Sequence, residues 1–432
     1  MTKITRAHGL ALPGAHDVHR VVLNNGITVL IRENFDSPSV VMNGYVNCGS
    51  ISDPEEKLGL AFFTSLGLMR GTRSLSFQKL YDRLESSGAS LGFSASVHTT
   101  SFGGRALSED LHMLLELLSK CLREPTFPLF QIEKLRAQLL TGLMIRAQDT
   151  EEMASLAFDE IVFHGHPYSK PEDGFPETVK RITLKDIKVF HHQYYRPKGM
   201  VIVVVGGVRT EFTLNLIEKT LGGWKNENAQ EVDPLPNPTP LTRTVRKHVE
   251  LAEKKQIDLI MGTLGPCRKS EDYLPASLGN SILGQFGMMG RIGATVREQA
   301  GLAYTASTSL NAWATTGSWE VTAGVNPANL NKAIDLIIKE IKRYTSEPVT
   351  DEELNDSKAN FIGRMPIALE SNGGVAGAFL NIERFQLGLD YFVKYADLVK
   401  AVTAEQILQT AQKYLHADKM AIVSAGTEDK QA

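Results

Sequence analysis

VKRITLKDIKVFHHQYYRPKGMVIVVVGG, residues 179–207, recurs 220 positions later as VKAVTAEQILQTAQKYLHADKMAIVSAGT, residues 399–427. The pairs Thr183/Thr403, Ile187/Ile407, Tyr194/Tyr414, Met200/Met420 and Gly206/Gly426 keep one register, so the match is positional rather than compositional. Thr183 and Thr403 stand where a hydroxyl caps the first turn of a helix, and the apolar runs Val201 to Val205 and Ala421 to Val423 read as the strands that follow. A second block repeats at an offset of 223, where Glu124-Pro125 matches Glu347-Pro348. In the helical stretches before it, Leu107, Leu111, Met113, Leu114, Leu115 and Leu118 face Leu330, Ile334, Leu336, Ile337, Ile338 and Ile341. Six apolar matches in one amphipathic frame mark an internal duplication. The chain is therefore expected to be two copies of one α+β unit.

Each copy opens on strands. In RVVLNNGITVLIRE, residues 20–33, Asn25-Gly26 separates two β-branched runs and predicts a hairpin. Helices and further strands follow, which predicts a mainly antiparallel sheet with helices packed mainly on one face. Prolines at 234, 236, 238 and 240 disfavour helix and sheet and predict an extended linker. The expected boundaries are 15–225 for the first domain, 226–244 for the linker and 245–430 for the second domain.

Composition excludes several classes of function. The 432 residues are 42% hydrophobic and 22% charged, enough for two cores. A net charge of −3 with both signs interspersed gives no basic stripe for nucleic acid or an anionic membrane. The first twenty residues hold charges and a proline without an apolar run, so the expected location is the cytoplasm of a bacterium, or the periplasm if a leader has been removed. Cys48, Cys121 and Cys267 form no CxxC pair and read as small apolar residues.

GLAFFTSLGLMRGT, residues 59–72, resembles the GLAHFLEHMLFKGT segment of the pitrilysin and insulinase-like zinc peptidases, the inverzincins that include the mitochondrial processing peptidase. In that pattern two histidines at i and i+4 share a helical face and bind zinc, and the glutamate before the second is the general base. Here Phe62, Ser65 and Leu66 hold those places. The family's third protein ligand falls by its spacing on Leu143, and an aspartate that follows it is matched by Asp149. No lone pair remains for a metal, so no metal ligand and no cofactor are expected in this chain. A helix over 57–71 is predicted, with Phe62, Leu66 and Met69 as an apolar core stripe; Gly67 inside it costs about 1 kcal/mol relative to alanine.

The remaining histidines are read structurally. His164 and His166 in FHGHPY, and the adjacent His191 and His192, have no acidic or thiol partner at a diagnostic spacing. The HPY portion resembles a structural turn of the same family.

The second half keeps what the first has lost. GNSILGQFGMMGRIGATVREQAGLAYTASTS, from Gly279, resembles a family segment whose arginine and tyrosine, seven residues apart, serve the substrate side of the active site. The matching residues are Arg297 and Tyr304, and a positioned donor of this kind stabilises an oxyanion in the transition state. A purely structural alternative has Arg297 pairing within the fold and Tyr304 packing at a strand start; in the first half Phe93 is read as standing near the tyrosine place, without an arginine. The loop Gly284, Gln285, Phe286, Gly287, Met288, Met289, Gly290 resembles the glycine-rich loop of the family's non-catalytic subunits, with an ordinary helix connection as the alternative. Its glycines would allow a mobile backbone around an apolar, substrate-binding surface.

The resemblance spans nearly the whole chain and implies the LuxS/MPP-like metallohydrolase fold. It implies a non-catalytic subunit that supplies Arg297, Tyr304 and the glycine loop to a homologous HxxEH-bearing zinc peptidase subunit, with the zinc in that partner and an extended peptide as substrate. The alternative is a non-enzymatic peptide-binding or scaffold subunit like the core proteins of respiratory complexes.

Overall fold

The computed structural model describes residues 12–226, 230, 235–287 and 290–427. The first copy forms β1 (His19–Val22), β2 (Thr28–Glu33), β3 (Ser39–Val46), β4 (Ser90–Ala95), β5 (Thr100–Leu107) and β6 (Val201–Gly206), in the sheet order β1-β2-β6-β3-β5-β4. The second forms β7 (Val245–Glu250), β8 (Ile257–Gly265), β9 (Ala303–Ala312), β10 (Gly317–Val325) and β11 (Ala421–Gly426), in the order β7-β11-β8-β10-β9. All neighbours are antiparallel except β2 with β6 and β7 with β11, which occupy equivalent places in the two sheets.

The helices repeat as the strands do. In the first half they are α1 (Leu60–Gly67), α2 (Phe77–Ser86), α3 (Leu111–Arg123), α4 (Leu129–Arg146), α5 (Thr150–Val162), α6 (Pro176–Arg181), α7 (Leu184–Tyr194) and α8 (Thr210–Ile217). In the second they are α9 (Tyr273–Gly284), α10 (Gly290–Gly293), α11 (Leu330–Ser346), α12 (Asp351–Ala368), α13 (Asn372–Phe385), α14 (Tyr391–Ala401) and α15 (Ala404–Tyr414). Thr183 and Thr403 cap α7 and α15 as their sequence predicts, each accepting from the backbone N–H three residues on at 3.2 Å while that residue's side chain returns the bond. The β1–β2 hairpin is present, but its loop is Asn24 to Gly26 rather than a two-residue Asn-Gly turn. Leu23 N–H donates to Ile27 C=O, and Gly26 takes the left-handed position at φ +86°. In the linker, residues 235–244 form neither helix nor strand, Leu235 and Leu241 pack against the core that contains α5, and Pro234 lies outside the described residues.

The helices of each half pack mainly on one face of its sheet, as predicted from sequence, and the other face is covered from the other half. Every residue of β6 is buried, because its two faces enter different cores. Ile202 and Val204 point into the core beneath the first half's own helices, whereas Val201, Val203 and Val205 pack with Val375, Ala376, Phe379 and Ile382 of α13. The reciprocal contact places Ala154, Ala157 and Phe158 of α5 on Ala421, Val423 and Ala425 of β11. α5 and α13 are themselves repeat partners, so each half covers the outer face of the other's sheet.

Polar contacts fix this exchange. Arg20 of β1 makes a two-pronged ion pair with Glu383 of α13, at 2.6 and 3.0 Å. Tyr168, in the HPY turn that His166 caps, bonds His98 of the β4–β5 loop at 2.6 Å and Thr315 of the β9–β10 loop at 3.1 Å. Its ring also meets Trp313 at 4.8 Å. One tyrosine thus joins both hairpin tips.

Beside this junction three carboxyls lie in poor solvent. Burial, then the charges of Glu320 and Glu172, push Asp159 of α5 up to about 8. Burial also raises Glu172 and Glu320. The nearby cations are committed elsewhere, Arg146 to Asp173 and Lys170 to Glu55.

Two outcomes follow from this packing. Phe379→Ala empties the centre of the α13 contact and should cost about 3–5 kcal/mol in urea or guanidinium unfolding, with the two halves losing cooperativity. Asp159, with its folded pKa above its unfolded one, contributes stability that is complete below pH ~4 and lost as pH rises through about 8. Stability measured between pH 5 and 9 should therefore fall with pH, and Asp159→Asn should flatten that slope; an unchanged slope would remove Asp159 as its source.

Candidate functional site

The helix that resembles a zinc-binding segment is shorter than predicted. α1 spans Leu60–Gly67, begins on Gly59 at φ +94°, and gives way to a 3₁₀ turn over Leu68–Arg70. Asp53 caps it from outside, accepting from Gly59 N–H at 2.9 Å and Ala61 N–H at 2.8 Å. Gly67 is the last residue of the helix and sits under Phe127, where a Cβ would come within 3.1 Å of the ring. Its role is close packing.

The predicted core stripe is also revised. Leu60, Ala61 and Phe63 are the buried apolar positions of α1, while Phe62 and Leu66 are only partly buried. Phe62 lines a cavity of about 450 Å³ with Ala95, Arg146, Asp159, Tyr168 and Trp313. Ser65, at the general-base position, is fully buried; its hydroxyl donates to Phe62 C=O at 2.7 Å and accepts from Ala95 N–H at 3.1 Å. It has become a tie between α1 and β4. Leu143 is buried on α4.

These four side chains do not fit a zinc ion: three are hydrocarbon and the fourth has spent its hydroxyl on backbone groups. Among the described residues no group of three or more His, Cys, Asp or Glu is placed to hold a metal. His191 is held by Leu122 C=O at 2.9 Å and by stacking on Tyr195, and burial lowers its pKa to about 4. His192 is exposed.

The structure gathers the second-half residues at one end of β9. α9 is almost wholly buried and ends on Gly284, where a Cβ would lie 2.4 Å from the Thr308 methyl. Gln285 donates from Nε2 to Thr308 C=O at 3.0 Å. Gly290, at φ +63°, starts α10 with its Cα side pressed on Ile282 C=O, so no side chain fits. Arg291 next to it forks onto Glu353 with two bonds of 2.6 Å. Burial alone would raise the Glu353 carboxyl, but this fork and the Thr350 amide outweigh it and bring it down to about 2. The loop is thus packed closely at Gly284 and Gly290, while Gly287, at φ +60°, has open space around it and Phe286 is exposed. Met288 and Met289 lie outside the described residues.

Arg297 lies in a π-helical turn over Ala294–Gln299 that leads into β9. Its side chain is half-buried and has no hydrogen bond or ion pair among the described residues. Tyr304 is the unpaired residue of a β-bulge: Ala303 pairs with Val325 and Thr305 with Gly324, leaving Tyr304 between them. A bulge turns a side chain off the regular alternation, and Tyr304 and Thr305 are both exposed, Tyr304 at 67%. Among the described residues, then, Arg297 has no pairing partner and Tyr304 is exposed rather than packed at the strand start.

The comparison with Phe93 is corrected as well. The β4–β5 and β9–β10 hairpins align at an offset of 217, Ala95 with Ala312 and Thr100 with Gly317, which puts Leu310 at Phe93 and Tyr304 at Ser87. The strand segment that carries Tyr304 therefore has no counterpart in the first sheet. Tyr304 stands at one end of β9 and Trp313, on the Phe62 cavity, just past the other, about 30 Å away at strand rise. Sequence reasoning missed the bulge, the Ser65 tie and the Tyr168 junction; only the HPY string marked any of them.

Comparisons with known proteins agree with this architecture. Residues 28–171 match the insulinase-type profile of peptidase family M16, and residues 181–361 the profile described as the peptidase M16 inactive domain. An uncharacterized zinc protease of Mycobacterium leprae is 22% identical over 404 residues, spanning 92% of this chain and 89% of that protein. Subunit 1 of the human mitochondrial cytochrome b-c1 complex is 25% identical over 265 residues, 61% of this chain and 55% of that subunit. A crystal structure described as a peptidase M16 inactive domain from Pseudomonas fluorescens superposes with a TM-score of 0.89 at 25% identity, over 96% of this chain and 98% of that one. A Helicobacter pylori protease shares the fold at a TM-score of 0.85, over 95% and 99%. With two M16 profiles matched along most of its length and the fold shared with an M16 structure, this chain belongs to peptidase family M16, the insulinase-type peptidases.

Proposed function

We propose that this chain is the non-catalytic subunit of a heterodimeric zinc peptidase, acting on extended peptides together with a homologous subunit that bears an HxxEH motif. The observation that carries this reading is the strand-length separation between Tyr304 and the Phe62 cavity. Among the described residues Arg297 has no pairing partner and no metal site stands near Tyr304, and a second subunit can present one.

In this reading the partner holds the zinc and the general base, which supply hydrolysis. This chain supplies Tyr304 as a neutral O–H donor and Arg297 as a fixed positive charge, both directed where negative charge grows on the scissile carbonyl. The bulge presents the tyrosine without a competing hydrogen bond, so little reorganisation is needed when substrate arrives. β9 is the outer strand of its sheet, a place where an extended peptide can add by main-chain hydrogen bonds.

A scaffold role is the second reading, and the likeness to cytochrome b-c1 complex subunit 1 favours it. Reconstitution separates the two. The purified chain should carry no stoichiometric zinc and hydrolyse no peptide, and mixing it with an HxxEH homologue from the same genome should produce activity. Tyr304→Phe and Arg297→Ala should each lower kcat/KM of the mixture about 100-fold, with the dimer intact by sedimentation. Hydrolysis undiminished in both variants would leave only the scaffold.

A further inference from the structure

A cavity of about 530 Å³ lies in the second half between α9, α12, α13 and α14, and the functional reading above makes no use of it. Two arginines line it. Arg268 stacks on Tyr273 at 4.0 Å and meets Tyr391 at 5.5 Å, while Arg364 stacks on Phe361 at 4.0 Å. Stacking occupies the faces of the guanidinium groups and leaves their N–H edges as donors. Arg268 spends one of them on the Tyr391 hydroxyl at 3.3 Å.

No aspartate or glutamate lines the cavity, and neither arginine has a carboxylate partner among the described residues. Two positive groups set into an aromatic wall without a counter-ion are matched by an anion carried on an apolar body. Arginine forks suit a planar carboxylate in particular. Burial holds the Tyr395 phenol up to about 12, so it stays a protonated donor at the same wall.

The amide side chains narrow the class further. Asn381 has no hydrogen bond among the described residues, Asn280 uses its Oδ1 on Trp319 and keeps Nδ2, and Gln285 uses Nε2 on Thr308 and keeps Oε1. A donor and an acceptor beside the arginines are what a peptide bond requires and an acyl chain does not. Gln285 belongs to the glycine loop and Leu310 to β9, so the cavity continues from the surface on which the proposed function rests.

We propose that this cavity binds the free C-terminal end of a peptide, its carboxylate on Arg268 and Arg364 and an apolar last side chain against the aromatic wall. This deepens the reading of the chain as a peptide-handling subunit, and its test needs no partner and no hydrolysis, so either idea can fail alone. The probe is an N-terminally fluorescein-labelled pentapeptide ending in Leu-Phe, prepared as the free acid and as the C-terminal amide and titrated into the isolated chain by fluorescence anisotropy. The acid should bind at least about tenfold more tightly than the amide. Arg364→Met, at an exposed position, should abolish that preference while thermal unfolding stays unchanged, and Arg268→Lys should reduce it. Equal binding of acid and amide overturns the proposal, as does a preference that survives in both variants.

Discussion

The outer face of each sheet is apolar and has no cover within its own half; the rest of the structure depends on solving that problem. Val201, Val203 and Val205 on one sheet, and Ala421, Val423 and Ala425 on the other, would lie in water if the halves parted. At about 25 cal/mol per Å² of apolar surface such faces cannot stay exposed. The chain covers each with a helix from the other copy, α13 over β6 and α5 over β11. Duplication makes this reciprocal, so one solution serves twice. It also explains why the β6 sequence is a continuous valine-rich run rather than an alternating one.

That exchange sets the geometry in which the functional residues sit. Because α5 crosses between halves, the Phe62 cavity is roofed by elements of both, with Trp313 from the second half beside Asp159 and Tyr168 from the first. The same β9 that delivers Trp313 to this junction runs outward and ends at Tyr304. A single strand therefore spans the distance from the Phe62 cavity to Tyr304. The strand is longer at that end than its first-half counterpart β4, and the extra length carries the bulge.

Much of the fold was legible in sequence because it rests on local rules. The caps at Thr183 and Thr403 follow from hydroxyl chemistry at a helix start, and five of the six matched apolar pairs fall on the repeat helices α3 and α11, Leu107 instead ending β5. The exchange of α5 and α13 was not legible, because a buried helix reads alike whichever sheet it covers. The same limit hid the orientation of α1: Phe62 and Phe63 are adjacent and chemically identical, and only tertiary packing decides that Phe63 enters the core while Phe62 faces the cavity. The close packing at the ends of the glycine loop was not legible for a related reason. Glycine permits motion and close packing equally, and at Gly284 and Gly290 the surrounding atoms demand the second. The Tyr304 bulge depends on a one-residue mismatch between two strands, which no single strand encodes.

The degenerate helix is better understood as a converted element than as a damaged one. A glutamate at the Ser65 position, fully enclosed and without a metal beside it, would be an unpaired buried charge, which is among the most costly features a core can hold. Serine removes the charge and joins the backbones of α1 and β4 through one hydroxyl. A histidine at the Leu66 position would bring a second polar ring into a largely apolar setting, whereas leucine adds to the core. Once a metal is absent, each of these replacements stabilises the fold. No comparable gain comes from Tyr304, exposed on a bulge, or from Arg297, which has no hydrogen bond or ion pair among the described residues. The α1 positions are used in packing, whereas Tyr304 and Arg297 make no hydrogen bond or ion pair among the described residues. That asymmetry is what a role outside this chain's own fold would leave behind.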